Sequence, residues 1–376
     1  MEGLAADYVV VALDIKGNDD LKNEVIRYRD AAHPGARFKI NEWNYTKPAA
    51  SRRWNFIREL DDDGAINAAT EGICGLPRDN DPNRNFHLRD MKWARGLLEL
   101  AHDSGLDLDV RNLLDVLSDP ADLDRLVRKY PQTRGAQRMR DLLAMDPGAQ
   151  ARATQFLATY FEVLNNDGFV EVTRSSRFDL RQAVFTPGQL LLVNAPVSDG
   201  PLSAVSSGLF LSQVIHRRLS AFGGNPPPML LVIDEAARVL DRLDLGRLLS
   251  LAAGANVSVV IALQDIKQLP EDRRDEILAN CGTTILLGGS SPSTTEYVSK
   301  RLGTRTMASY TATENHGRGS GRSSGYTLSS APAPVMGDNE LRSPPSGRFG
   351  AVVVNNNISR RPILVDLTRH DMMGSR

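Results

Sequence analysis

Two acidic side chains stand directly behind an uninterrupted apolar run: Met229-Leu230-Leu231-Val232-Ile233 ends in Asp234 and Glu235. A run that is apolar at every position has both faces covered, as the central strand of a parallel sheet does, and ligands gather at the carboxyl ends of such strands. There an aspartate can hold the water shell of a magnesium ion, and a glutamate beside it can orient a water molecule towards a phosphate. The competing reading is that Asp234 caps a helix beginning Glu235-Ala236-Ala237-Arg238. A second apolar run, Asn256 to Leu263, ends in Gln264 and Asp265, and two successive strands delivering polar groups to one sheet edge favour a site over a cap. A third run, Asp7 to Leu13, places Asp14 and Lys16 on the same edge, where the plainer role of Asp14-Ile15-Lys16-Gly17 is a turn at a strand end.

These runs imply an α/β sheet. Asp14 to Gly17 turns the chain, Asn18 or Asp19 caps a helix from Asp20 to Arg29, His33-Pro34-Gly35 breaks it, and Ala36 to Ile40 reads as a strand. A strand-helix-strand unit of this length makes a parallel pair. Such a sheet rarely starts with its second strand, so a segment is expected upstream. Trp54-Asn55-Phe56-Ile57 supplies an apolar anchor, and Asp61-Asp62-Asp63-Gly64 caps a helix from Ala65 to Cys74, having too few alternating ligands for a calcium loop.

The stretch Gly75 to Asn85, rich in Pro, Asp, Asn and Arg, is a linker, and from Phe86 to Leu164 apolar residues recur only at helical spacing, broken at Ser104-Gly105, Asp119-Pro120, Pro131 and Asp146-Pro147-Gly148. The expected organisation is therefore a sheet segment in 1–80, an inserted all-α domain in 86–165, and the rest of the sheet domain in 170–376. In that last part a buried strand at Gln189 to Asn194 precedes a long helix from Pro201 to Leu219 and an exposed connector from Phe222 to Pro228. A helix from Ala237 to Leu251 carries Arg238, Arg242 and Arg247; another starts at Pro270 and reaches Ala279; Thr283 to Leu287 is a buried strand, and Ser293 to Leu302 a helix. Thr311 to Ser330, rich in Gly, Ser and Thr, reads as a mobile loop, a plain linker or a DNA-facing one through Arg318 and Arg322. Arg348 to Asn355 and Pro362 to Leu367 close the chain as a hairpin.

Composition narrows the function classes. The chain has 376 residues, 41% hydrophobic and 24% charged, with a formal net charge of −1. Bulk charge therefore gives no sign of nucleic-acid binding, and any such surface must be a local patch or a pore lining made by assembly. No apolar run reaches the roughly 18 residues of a membrane span, and the first residues lack the pattern of a signal peptide, so a cytoplasmic location is expected. Cys74 and Cys281 are far apart and the six histidines are scattered, which points to neither a disulfide framework nor a zinc site.

In their order and spacing these segments resemble the motor domain of the TraG/TraD-type coupling proteins of type IV secretion, within the FtsK/HerA group of RecA-like DNA-pumping ATPases. The residues that carry the resemblance are Asp14-Ile15-Lys16-Gly17, Trp54-Asn55, the helical insertion, Leu231-Val232-Ile233-Asp234-Glu235 as a Walker B element, Ala262-Leu263-Gln264 with Gln268-Leu269, and Leu302-Gly303-Thr304-Arg305-Thr306. The resemblance implies a RecA-like P-loop NTPase sheet, incomplete at its N-terminus, with the all-α domain facing incoming substrate. It implies six subunits in a ring, ATP and Mg²⁺ between neighbours, and single-stranded DNA through the centre with a relaxase or secreted protein as cargo. By the same carry-over Asp234 holds Mg²⁺ through water with Asp14 and Lys16 nearby, Glu235 activates water, and Gln264 senses the terminal phosphate. The protein would work at the inner face of the membrane through its partners.

Two departures qualify these expectations. A phosphate loop of the form Gly-x-x-x-x-Gly-Lys-Ser/Thr needs a lysine after a glycine, and none of the eight lysines follows one. The loop is then expected upstream or on a separate chain that also carries a membrane anchor. The arginine that the family places before its glutamine strand is missing from Leu251-Ala252-Ala253-Gly254-Ala255, leaving Arg247 and Arg238 as stand-ins. The alternatives are a catalytically silent, substrate-recruiting paralogue and a HerA-like DNA-processing ATPase, the latter disfavoured by the helical insertion.

Overall fold

Four apolar runs and the more polar Lys39–Asn44 become one parallel sheet. Strands β1 (Val9–Asp14), β2 (Lys39–Asn44), β3 (Gln189–Asn194), β4 (Met229–Ile233) and β5 (Val257–Ile261) lie in the order β2-β3-β1-β4-β5, every neighbouring pair parallel. The computed structural model describes residues 8–17, 19–32, 38–78, 81–106, 108–316, 322–345, 350–355 and 359–366, and it divides into two compact units, 1–263 and 264–376. One face of the sheet carries Val10, Ala12, Leu190 and Leu192 against Val25 of helix α1 (Asp20–Ala32). Strand β2 starts later and runs further than Ala36 to Ile40, because its six residues pair in register with the six of β3, from Lys39 opposite Gln189 to Asn44 opposite Asn194. Asn18 and His33-Pro34-Gly35 lie outside the described residues.

Between β2 and β3 the chain is helical: α2 (Asp63–Cys74), α3 (Arg84–Asp103), α4 (Val110–Ser118), α5 (Pro120–Lys129), α6 (Arg134–Leu143), α7 (Pro147–Glu162), α8 (Asp167–Thr173) and the single turn α9 (Leu180–Ala183). The polar residues at the breaks set where each helix starts. Asp62, Asp109, Asp119, Thr133, Asp146, Asn166 and Asp179 each accept a backbone N–H of the following first turn, a contact of about 1 kcal/mol per cap. Pro120 and Pro147 sit at first-turn positions, where the missing N–H costs nothing.

Helix α10 (Pro201–Leu219) joins this layer to the other face of the sheet. Its Phe210 lies 5.3 Å from Trp43 of β2 and 5.0 Å from Trp54, centroid to centroid, and Phe169 of α8 lies 5.8 Å from Trp43. All four rings are fully buried. The continuous helix expected from Ala237 to Leu251 is broken: a 3-10 turn at Ala236–Arg238 is followed by a bend, and α11 spans Leu245–Leu251. Val239, Leu243 and Leu245 turn inward, and Asp244 starts the new helix by accepting the Arg247 N–H at 3.1 Å.

In the second unit, α12 (Arg274–Asn280) is shorter than expected, because Pro270 to Arg273 form a turn closed by the Arg273 N–H on the Pro270 carbonyl at 3.1 Å. Strand β6 (Thr283–Leu287) is not fully buried: Ile285 and Leu287 are exposed while Leu286 packs inward. Helix α13 (Pro292–Leu302) follows. The described parts of Thr311 to Ser330, residues 311–316 and 322–330, are not a loop but belong to an antiparallel ribbon, β7 (Thr304–His316) with β8 (Arg322–Pro334). Thr306, Thr311, Thr313, Tyr310, Tyr326 and Thr327 give both arms the β-branched and aromatic residues that strands favour. Helix α14 (Asp338–Arg342) leads to β9 (Gly350–Asn355) and β10 (Ser359–Asp366), which pair antiparallel in a sheet of order β10-β9-β6. Leu286, Val298, Leu341, Val352 and Val354 form its core.

Candidate functional site

Parallel register aligns a row of polar residues at the carboxyl ends of the strands. Asn44 stands opposite Asn194, and Asn194 opposite Asp14; Leu13 pairs with Ile233, so Asp234 extends the row by one strand. Asn44, Asn194 and Asp14 are buried, and Asp234 is half-buried. Asn44 is engaged locally, its side-chain oxygen accepting from the Thr46 N–H at 2.9 Å and its amide donating to Glu42 at 2.9 Å; Glu42 in turn pairs with Lys22 at 2.6 Å.

The next two residues of the row are not satisfied. Neither amide atom of Asn194 has a hydrogen-bond partner, nor does Oδ2 of Asp14. Oδ1 of Asp14 accepts the Lys16 N–H at 2.9 Å, which makes the expected turn, while the Lys16 side chain itself is exposed. Gly17 completes that turn at φ 72°, where a Cβ would meet the Pro196 ring at 2.5 Å. Burial raises the Asp14 pKa above its ordinary value; the Lys16 N–H and charge oppose this, and Asp234 and Asp20 reinforce it. Sequence reading missed Asn44 and Asn194, whose signal was an asparagine ending each strand run.

Glu235 follows Asp234 in the left-handed region, at φ 46° and ψ 54°, a conformation that costs a non-glycine residue about 1–2 kcal/mol. Its N–H donates to Asp234 Oδ1 at 3.0 Å, and the Ala236 N–H holds the Ala262 carbonyl behind β5 at 3.0 Å. Asp234 thus holds the Glu235 N–H but caps no helix: the 3-10 turn that follows has Glu235 at its N-cap position with no side-chain cap bond. Arg238 is half-exposed with its Nε 3.9 Å from Oε2 of Glu235 in its own chain. Arg247 is exposed on α11. Gln264 comes three residues after the end of β5 and opens the second unit, where its N–H donates to Gln268 Oε1 at 2.8 Å. Asp265 caps the next turn, accepting from Lys267 N–H at 2.8 Å and from Ser293 at 3.1 Å. Arg318 lies outside the described residues, and Arg322 is the first residue of β8.

Unpartnered buried oxygens and an amide beside Asp234 fit a hydrated magnesium ion, which keeps several waters and needs only one or two carboxylates. Among the described residues no group of three or more His, Cys, Asp or Glu forms a metal cage of its own. Nucleotide phosphates fit less well: residues 1–376 contain no Gly-Lys pair to cradle them. No helix of the described residues is long and apolar enough to cross a membrane.

Residues 228–346 match a family model described as the TraM recognition site of TraD and TraG. A comparison with curated proteins returns no match. Among solved structures, the chain is similar to the bacterial conjugative coupling protein TrwBdeltaN70 in a trigonal form with sulphate, with a TM-score of 0.69 and 20% identity over 97% of this chain and 80% of that one. It is likewise similar to the plasmid coupling protein TrwB in complex with ADP and Mg²⁺, at TM-score 0.65 and 17% identity, and in complex with the ATP analogue ADPNP, at 0.66 and 18%, each covering 97% of this chain and 86% of the other. The RecA-like α/β fold is thereby borne out. So is the resemblance to the TraG/TraD-type coupling proteins: residues 228–346 match the model of their TraM recognition site, on a chain whose fold is similar to that of TrwB.

Proposed function

We propose that this chain serves conjugative DNA transfer as part of an ATP-driven, ring-forming coupling protein. The observation that carries the reading is where the family match falls: it begins one residue before β4 and takes in Asp234, Glu235 and Gln264. In this reading 1–80 and 170–376 form the motor and 86–165 the substrate-facing insertion. Single-stranded DNA passes through a ring of six, relaxase or secreted protein is the cargo, and a TraM-like relaxosome protein binds within 228–346. Arg318 and Arg322 face the DNA, and Arg247 or Arg238 reaches a neighbour. The ring works at the inner face of the membrane.

The chain's own residues divide the work. Asp234 and Asp14 would hold a hydrated Mg²⁺, with the unpartnered Asn194 amide beside Asp14 as a further polar contact. Such an ion would supply the charge that neutralises phosphate oxygens. Glu235 orients a water molecule and accepts its proton. Gln264 hydrogen-bonds the terminal phosphate, and Lys16 adds positive charge at the same edge. The phosphates themselves are gripped by a loop outside these 376 residues, upstream or on a separate chain.

The test is plasmid transfer in a mating assay. Replacing Glu235→Gln removes the proton acceptor and keeps the size, and is expected to lower transfer by roughly 10²-fold or more. The missing Gly-Lys pair favours a second reading, a silent substrate-recruiting subunit. Transfer at wild-type level with E235Q, but lost when the whole chain is deleted, would establish that reading instead.

A further inference from the structure

The segment that carries Glu235 does not end in solvent. From the left-handed Glu235 it passes through the 3-10 turn Ala236–Arg238 and returns at Asp241 and Arg242 to the end of α2. The Arg242 guanidinium donates from Nη1 to the carbonyl of Gly72 at 3.0 Å and to that of Ile73 at 2.7 Å. One residue earlier, the Asp241 carbonyl accepts the Leu76 N–H at 2.6 Å, and its carboxylate pairs with Arg78 at 2.5 Å. Two consecutive residues thus grip both the last-turn carbonyls of α2, which lack helical partners, and the connector that leads to α3.

The grip is built into the packing. A Cβ on Gly72 would meet the Leu209 backbone at 2.6 Å, and one on Gly208 would meet Arg242 Cδ at 2.6 Å. These glycines let α2 and α10 approach closely and leave a channel for the Arg242 stem. Burial lowers the Arg242 pKa, with Cys74, Asp241 and Tyr160 opposing that shift, and the two carbonyls satisfy the buried cation. The polar path then continues into the helical layer. The Gly75 carbonyl lies 3.1 Å from Nε2 of His87 on α3, and Nδ1 of His87 lies 3.2 Å from the hydroxyl of Tyr160 on α7.

We propose that Asp241 and Arg242 are a positioning link that transmits rearrangement of the Asp234–Glu235 turn to residues 72–78 and on to α3. The turn is held strained at Glu235 at one end and clamped by Arg242 at the other, so relaxing the first moves the second as a lever. Its use in a motor rests on the function proposed above; the link itself does not.

The test is a double-mutant cycle read by hydrogen exchange of the full chain at residues 72–78 and 84–88, without nucleotide. Glu235→Gly, which removes the left-handed penalty, is expected to change exchange there by about 2- to 30-fold, the span of such coupling terms. In an R242Q background the same substitution is expected to change it by less than about twofold. If R242Q does not fold, R242M, which keeps an apolar stem and removes every donor to the Gly72 and Ile73 carbonyls, replaces it in the cycle. Equal changes in both backgrounds, or no change in the Arg242 background, would overturn the link. Additive exchange effects alongside a transfer defect in E235Q would remove the link and leave the motor reading standing.

Discussion

Glu59 shows what burial does to a carboxylate outside the site. It is buried, with Oε1 accepting the Leu180 N–H at 3.2 Å and Oε2 unpartnered. Desolvation raises its pKa above the ordinary 4.5, and the Leu180 hydrogen bond recovers only part of that shift. The folded protein therefore holds this proton more tightly than the unfolded chain, so stability is lost as pH rises from about 4.5 through the folded value. Glu59→Gln keeps an acceptor for Leu180 and removes the charge. Its melting temperature is expected to exceed wild type at pH 7, with the gap closing below pH 4.5 in a pH series of thermal melts. A gap that persists at low pH would show that shape rather than charge is responsible. Asp14 suffers the same desolvation within the polar row. That row was only half legible in the sequence: Asp14, Asp234 and Glu235 stood out because acids ending an apolar run are unusual, whereas Asn44 and Asn194 look like ordinary strand terminators. Only the register, which depends on strands distant in the chain, puts them beside Asp14.

Elements were legible where local chemistry decides them. The helix starts at Asp119-Pro120 and Asp146-Pro147 follow from a capping carboxylate and a proline free of any N–H duty. The break inside 237–251 was hidden, because its leucines and alanines suit a helix and the backbone is turned aside by the tertiary clamp at Arg242. The ribbon of β7 and β8 was hidden differently: its glycine and serine content masked the threonines and tyrosines. Arg218 is the element-scale residue that no pattern flagged. It ends α10 with no solvent exposure and donates to the carbonyls of Val184 at 3.1 Å, Pro227 at 2.6 Å, Ala255 at 3.2 Å and Asn256 at 3.2 Å. Burial pushes its pKa down to about 10. The guanidinium thus ties one helix to the segments feeding β4 and β5, the two strands that carry the acids and lead to Gln264. Arg218→Ala strands several buried carbonyls, each costing about 1–3 kcal/mol, so a loss of more than about 3 kcal/mol is expected from urea unfolding. Arg218→Lys, with one donor head, is expected to fall between. A loss under 1 kcal/mol for the alanine variant would mean that water replaces the guanidinium there.

At the scale of the whole molecule, the family segment and the folding units do not coincide. The match spans 228–346, while the compact units are 1–263 and 264–376. Sequence reading gave the parallel sheet and its helical insertion, because both rest on local periodicity; the division near Leu263 has no local marker, since Ala262 and Leu263 lead from the end of β5 to Gln264 without a glycine or proline. The consequence is testable with fragments. Residues 228–346 contain β4 without β1, which pairs with it from Val9 opposite Met229 to Leu13 opposite Ile233. They also contain β6 without β9, its partner from Thr283 opposite Asn355 to Leu287 opposite Ala351. Each sheet is cut through a ladder, and the stranded strands lose the pairing and the apolar cover that hold them. Expressed alone, 228–346 is expected to show no cooperative thermal transition by circular dichroism. Residues 1–263 keep all five parallel strands, α1 and the helical layer, and are expected to melt in one cooperative transition. The opposite result, cooperative melting of 228–346 and none of 1–263, would make the family segment the folding unit and would place the foundation of the Asp234–Glu235 turn in the second unit rather than in the sheet that aligns it with Asp14 and Asn194.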